Sequence, residues 1–163
     1  MAYDPATLHP GDVLLVTGSG SLLDAAIRWS TDSPFVHAAI VGCGGSLIES
    51  AWPRVEFAPR AKYAATGWRF EVTAATSDQR YAAVAWARRH VGDLYGVKEI
   101  LLDAARFDLH WLPRRRLPLR RLTCSALVAG AYLAAGVRLT WAPFPSPADL
   151  AASPLLVGPR PRA

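Results

Sequence analysis

Strand-like and helical patterns are segregated along this chain, and that order limits the folds open to it more than any other feature. Gly11 opens an apolar run over 12–17 that reads as a buried strand and closes on Gly18-Ser19-Gly20. Segments 36–41 and 46–51 read as two more strands around the tight turn Gly42-Cys43-Gly44-Gly45, and 68–73 alternates as a fourth. Beyond residue 76 the period changes. Ser77 to His90 starts on a cap-like Ser77-Asp78 and presents Tyr81, Val84, Ala85 and Trp86 to one face. Segments 97–107 and 124–136 read as further helices, the second stopped by Gly136. A short amphipathic helix over 21–30 interrupts the strands, and Ser146-Pro147 suits the first turn of a last helix. Strands first and helices after predict an α+β domain, with helices packed on a mainly antiparallel sheet.

Size and composition narrow the class further. The 163 residues suit one domain, 1–163, with a core over about 11–150 and a loose tail over 154–163. With 52% hydrophobic and 19% charged residues, the chain can fill a core and is not expected to be disordered. Two cysteines, Cys43 and Cys124, are too few for a disulfide framework. The first ten residues lack the apolar region of a signal peptide. The longest apolar stretch, 127–137, holds two glycines and is too short for a membrane span. The expected location is cytoplasmic, or within a phage particle or lysis machinery. The formal charge of +5 favours polyanionic partners, and Arg114, Arg115, Arg116, Arg120 and Arg121 concentrate it within eight residues of a proline-rich loop.

Cys124 follows Thr123 and opens an apolar helix. A thiol there meets unpaired backbone N–H groups and the positive end of the helix dipole, which stabilise thiolate. The N–H groups around Cys124 and Ser125 are also ready donors for an oxyanion. The competing reading is a small buried apolar residue. Of the four histidines, His9, His90 and His110 fall in a lead segment, a helix end and the basic loop; only His37 lies on a predicted strand. Glu49 follows twelve residues later on the returning strand. A three- or five-residue loop centred on Cys43 places Glu49 opposite His37 on one face, whereas a four-residue loop shifts the register by one. On that face a carboxylate can hold the imidazole tautomer and stabilise the imidazolium. Asp12, at a strand start, reads as a local turn acceptor ahead of a catalytic acid. Trp52 and Trp111 could rim a pocket; the other tryptophans read as core. No cofactor is implied. No His/Cys/Asp cluster has metal-ligand spacing, and Gly18-Ser19-Gly20 lacks the rest of a phosphate loop.

Several segments resemble the NlpC-type cell-wall peptidases, which are papain-like cysteine hydrolases. Gly11-Asp12-Val13-Leu14-Leu15 is similar to their opening strand, and Ser33-Pro34-Phe35-Val36-His37-Ala38-Ala39-Ile40-Val41 to their histidine strand. Ile48-Glu49-Ser50 resembles the strand of the third polar residue, and Gly92-Asp93-Leu94-Tyr95-Gly96 the Gly-x-x-Tyr segment. Thr123-Cys124-Ser125-Ala126-Leu127-Val128 resembles the nucleophile motif, and Ser146-Pro147-Ala148-Asp149-Leu150 the closing Ser-Pro-x-Asp-Leu. Thr123 stands where the unpermuted enzymes usually carry Asp, and Ala126 where many carry Gly. With His37 before Cys124, the order resembles the circularly permuted branch that includes lecithin–retinol acyltransferase-like proteins. The resemblance implies a papain-like core, a Cys124–His37–Glu49 triad with Tyr95 near the thiol, and Cys43 as a bystander. Tyr95 otherwise reads as a packing residue.

These readings converge on a thiol hydrolase that cleaves a peptide or cell-wall amide through an acyl-enzyme. Two alternatives stand beside it: a lipid acyltransferase or lipase with the same triad, and a non-catalytic structural module of a phage tail. The expected partners are a peptide, cell-wall or acyl-lipid substrate and an anionic surface, with no specific nucleic acid and no transmembrane segment. If the arginine loop touches an anionic surface, binding to anionic vesicles or cell-wall fragments falls as salt rises. Replacing Arg114, Arg115 and Arg116 by Ser is then expected to weaken that binding in a sedimentation assay. Unchanged binding would return the loop to a solvated connector.

Overall fold

A computed structural model describes residues 3–18, 33–95 and 121–159. Its strands are β1 (Val13–Thr17), β2 (Phe35–Val41), β3 (Ser46–Ala51), β4 (Arg54–Pro59), β5 (Gly67–Val72), β6 (Leu94–Tyr95), β7 (Arg121–Leu122) and β8 (Leu156–Val157). They form one sheet in the order β7-β6-β4-β3-β2-β1-β5-β8. Only the β6–β7 pair is parallel among these. The helices are α1 (Ser77–Arg89), α2 (Cys124–Ala134) and α3 (Pro147–Ala151). The expected α+β architecture is therefore present, and no helix among the described residues is long and apolar enough to cross a membrane. The helix expected over 21–30 and that over 97–107 lie outside the described residues.

Both faces of the central strands are buried, which explains why β1 and β2 read as continuous apolar runs. On one face Val13, Leu15, Ile40 and Ile48 join a cluster with Val84 of α1, Leu127 and Val128 of α2, and Leu150 of α3. On the other, Leu14, Ala39, Val41 and Leu47 pack with Tyr3 and Leu8 from the N-terminal lead. The helices thus cover one side, and the lead segment closes the second.

Local chemistry sets the helix ends. Thr76, one residue before the expected Ser77, caps α1 in a reciprocal capping box with Gln79. Ser146 and Asp149 form the same device on α3, with proline at its start. Gly136, at φ 81°, follows the C-terminus of α2 in the left-handed conformation. The β2–β3 hairpin turns through a 3₁₀ segment, Cys43–Gly45, with Gly44 and Gly45 at φ 74° and 82°.

At the start of β1, Gly11 adopts φ 87°, and its carbonyl accepts the Tyr132 hydroxyl from α2. A Cβ there would lie 2.7 Å from the Arg80 Cβ. Gly44 has a similar φ of 74° but open space around it. Gly11→Ala is expected to destabilise the fold by about 2–4 kcal/mol in urea unfolding, combining left-handed strain with a steric clash. Gly44→Ala, carrying the strain alone, is expected to cost about 1–2 kcal/mol. Equal losses would remove the clash from the explanation.

Candidate active site

The sheet parts where the head of α2 meets it. The β2–β3 register runs Val41↔Leu47, Ile40↔Ile48 and Ala39↔Glu49. Near its end the Ser50 hydroxyl donates to the Leu122 carbonyl, and the Ala38 N–H addresses the Cys124 sulfur. Both central strands therefore moor the chain that delivers the thiol. Thr123 caps α2: its hydroxyl accepts the Ala126 N–H at 3.2 Å and its carbonyl the Leu127 N–H at 2.9 Å. Neither bond uses the N–H groups of Cys124 or Ser125, the first two of the helix.

The observed register corrects one detail of the sequence reading. Glu49 lies opposite Ala39, not His37, because the turn centres on Gly44 rather than Cys43. The change moves the pairing by two residues, so His37 and Glu49 keep the same face as diagonal neighbours. The longer reach of Glu49 closes the gap: its Oε2 lies 2.8 Å from His37 Nε2. The other ring nitrogen is left free of Glu49, and the imidazole and the Cys124 sulfur are near enough for each to favour charge on the other. Cys124, His37 and Glu49 are thus brought together.

Glu49 has no solvent exposure, yet every side of its carboxylate is engaged. The Tyr63 hydroxyl donates to Oε2 at 2.8 Å, and the Lys62 ammonium to Oε1. Burial pushes Glu49 up, but His37, Lys62 and Tyr63 outweigh it and hold the carboxyl at about 2. Burial likewise disfavours charge on His37, but the Cys124 thiolate and the Glu49 carboxylate carry the imidazole up to about 10. Burial raises the Cys124 thiol; the imidazolium, the Ser125 hydroxyl and the Ala38 N–H bring it below its ordinary value. Each group is a cause of the other's shift, so these two effects are a single stabilisation. The Glu49 contribution to stability is complete above its ordinary 4.5 and is lost as pH falls towards about 2. The imidazolium contribution is complete below 6.5 and is lost as pH rises through about 10.

Other candidates take varied places. The buried Ser125 holds its hydroxyl 3.8 Å from the Cys124 sulfur. Tyr95 lies on β6, paired with Leu122 of β7, and burial and the neighbouring Cys124 charge both raise its hydroxyl. Lys62 and Tyr63 were not anticipated from sequence; they lie in the turn after β4, whose composition carries no motif. Cys43 is exposed in the hairpin turn. Trp52 is 76% exposed in the β3–β4 turn. Asp12 accepts the His9 N–H, as a turn residue does, and is also paired by Arg69 and Arg80. Arg114, Arg115, Arg116, Arg120, His110 and Trp111 lie outside the described residues.

No protein-family model matches the chain, and comparison with curated proteins returns no match. Among solved structures, the fold is similar to metalloprotein yiiX from Escherichia coli O157:H7, designated DUF1105. The TM-score is 0.69 at 18% identity, covering 94% of this chain and 97% of that one. The likeness is one of fold. It corrects the resemblance drawn from sequence: the neighbour points to a family other than the permuted NlpC-type, lecithin–retinol acyltransferase-like hydrolases. The physical reason lies in the motifs themselves, several of which answer local needs. Gly11-Asp12 supplies a left-handed turn and a buried ion-pair acceptor. Thr123 is a helix cap, and Ser146-Pro147-Ala148-Asp149 a capping box.

The neighbour is described as a metalloprotein, but this site does not fit a metal. Among the described residues no group of three or more His, Cys, Asp or Glu side chains could hold one. The Lys62 ammonium already occupies the free oxygen of Glu49.

Iodoacetamide tests reactivity against access, since Cys43 is exposed and Cys124 buried. At about pH 6, peptide mapping is expected to find Cys124 alkylated first, because the paired thiolate persists below the ordinary thiol range. Faster labelling of Cys43 would refute a thiolate at Cys124.

Proposed function

We propose that this protein is a thiol hydrolase that cleaves an amide bond through a Cys124–His37–Glu49 unit. The observation that carries the reading is a helix-terminal thiol beside an imidazole whose Nε2 lies 2.8 Å from a buried carboxylate, with thiol and imidazole each favouring the other's charge. The description of the core as papain-like, with the histidine strand ahead of the cysteine helix, belongs to this reading and rests on the same line.

In the acylation step the Cys124 thiolate attacks the carbonyl carbon and a C–S bond forms. The developing oxyanion is held by the N–H groups of Cys124 and Ser125, with Tyr95 beside the thiol. The C–N bond then breaks, and the His37 imidazolium gives its proton to the leaving amine. In deacylation the neutral imidazole takes a proton from water, whose oxygen attacks the thioester. The acid leaves, and the thiolate–imidazolium pair returns. Glu49 keeps the imidazole oriented and offsets its charge. The basic balance of the chain favours an anionic substrate, and a peptide or cell-wall peptide fits an amide-cleaving thiol.

An electrophilic cysteine probe is expected to label wild type and not Cys124→Ala. Competition by muropeptides, with none by phospholipids, supports the amide substrate; the reverse supports a lipid ester or amide. Absence of labelling in wild type would favour a non-catalytic module. On a substrate found in this way, Cys124→Ala and His37→Ala should each lower kcat/KM by about 10³-fold or more, and the double mutant little further. Glu49→Gln should cost less, because it leaves both reacting groups in place. Additive losses in the double mutant would contradict a single working unit.

A further inference from the structure

We propose that Lys62 is a positioning residue of this site, the permanent counterion that keeps Glu49 ionised and turned towards His37. The inference rests on the proposed function and adds a residue to its machinery. Glu49 and Glu56 are directly opposed on β3 and β4, an arrangement that like charges make unfavourable. Lys62 lies between them, bonded to Glu49 Oε1 and 3.8 Å from Glu56 Oε1. Glu56 is partly solvated, whereas Glu49 is sealed from water. Only Glu49 therefore depends on a protein cation for its charge.

His37 cannot supply that cation throughout a reaction cycle. The imidazole loses its charge when it protonates a leaving group, and at that moment Glu49 would stand as a buried anion with two neutral donors, Tyr63 and the imidazole Nε2–H. Lys62 holds its ammonium on the opposite oxygen whatever the state of His37. It thereby lets the imidazole release its proton without transferring the burden of neutrality to the carboxylate. The division of the carboxylate is also directional: Lys62 takes Oε1, which leaves Oε2 to His37 and Tyr63. The groups that face Glu49 are His37 from β2, Glu56 from β4, Lys62 and Tyr63 from the turn after β4, and Tyr3 from the N-terminal lead. Cys124 of α2 acts on it through His37.

The test uses the full chain with Cys43→Ser, so that one thiol remains, and follows the iodoacetamide alkylation rate of Cys124 from about pH 4 to 10. In Lys62→Met the acid limb is expected to move up by about one pH unit, so that alkylation on that limb slows about tenfold. Lys62→Arg is expected to restore the wild-type limb. In a Glu49→Gln background Lys62→Met is expected to have no further effect, because the counterion acts through the carboxylate. If Lys62→Met fails to fold, Lys62→Gln retains a donor without the charge and is expected to show the same displacement. An unmoved limb in the folded variant, or an equal displacement in the Glu49→Gln background, would overturn the proposal while leaving the hydrolase reading intact. A wild-type Cys124 that titrates like an ordinary cysteine would overturn both.

Discussion

A carboxylate sealed from water is the constraint on which the site depends. Removing an ion from water costs several kcal/mol, and Glu49 meets that cost with three donors: His37, Lys62 and Tyr63. The first of these is the imidazole that also reaches the thiol. The need to neutralise Glu49 and the need to keep Cys124 ionised therefore act on the same proton. Burial opposes charge on all three groups, and their mutual attraction overcomes it.

The fold serves that arrangement by interrupting its own sheet. Where the β2–β3 ladder ends, Ser50 and Ala38 turn their hydrogen bonds to the segment entering α2. A continuous ladder would satisfy the same backbone group and leave the sulfur without it. His37 then joins two packed regions: Cys124 belongs to the helix-side cluster, and Tyr63 packs against the cluster on the opposite face. A ring centroid separation of 5.5 Å sets the His37 imidazole against Tyr63. Positioning is thus shared by backbone, core and polar network.

Much of this was legible in the sequence, for identifiable reasons. β1, β2 and the β2–β3 hairpin stand out because apolar runs are cut by glycines that the turn conformations require. For α2 the stop at Gly136 is legible, whereas the cap of α1 falls on Thr76, one residue before the expected Ser77. Strand β4 is not legible because Pro53 precedes it, Pro59 ends it and charged residues alternate within it; the sheet, not propensity, makes it a strand. The hairpin register was misplaced by two residues because a glycine-rich turn has several acceptable centres. The even size of that error preserved the face shared by His37 and Glu49. Lys62 and Tyr63 left no signal, since their role exists only once the turn after β4 folds back beside β3. The family resemblance was misled by capping and turn chemistry that unrelated chains also use.

The central claim is that an imidazolium at His37 persists because it lies between a thiolate and an ionised Glu49. NMR titration of the His37 ring with ¹⁵N-labelled protein measures this directly. In the wild type the ring should remain doubly protonated through neutral pH and titrate near about 10; in Cys124→Ala its midpoint should fall. A wild-type midpoint near the ordinary histidine value of about 6.5, unchanged by removal of the thiol, would contradict the account.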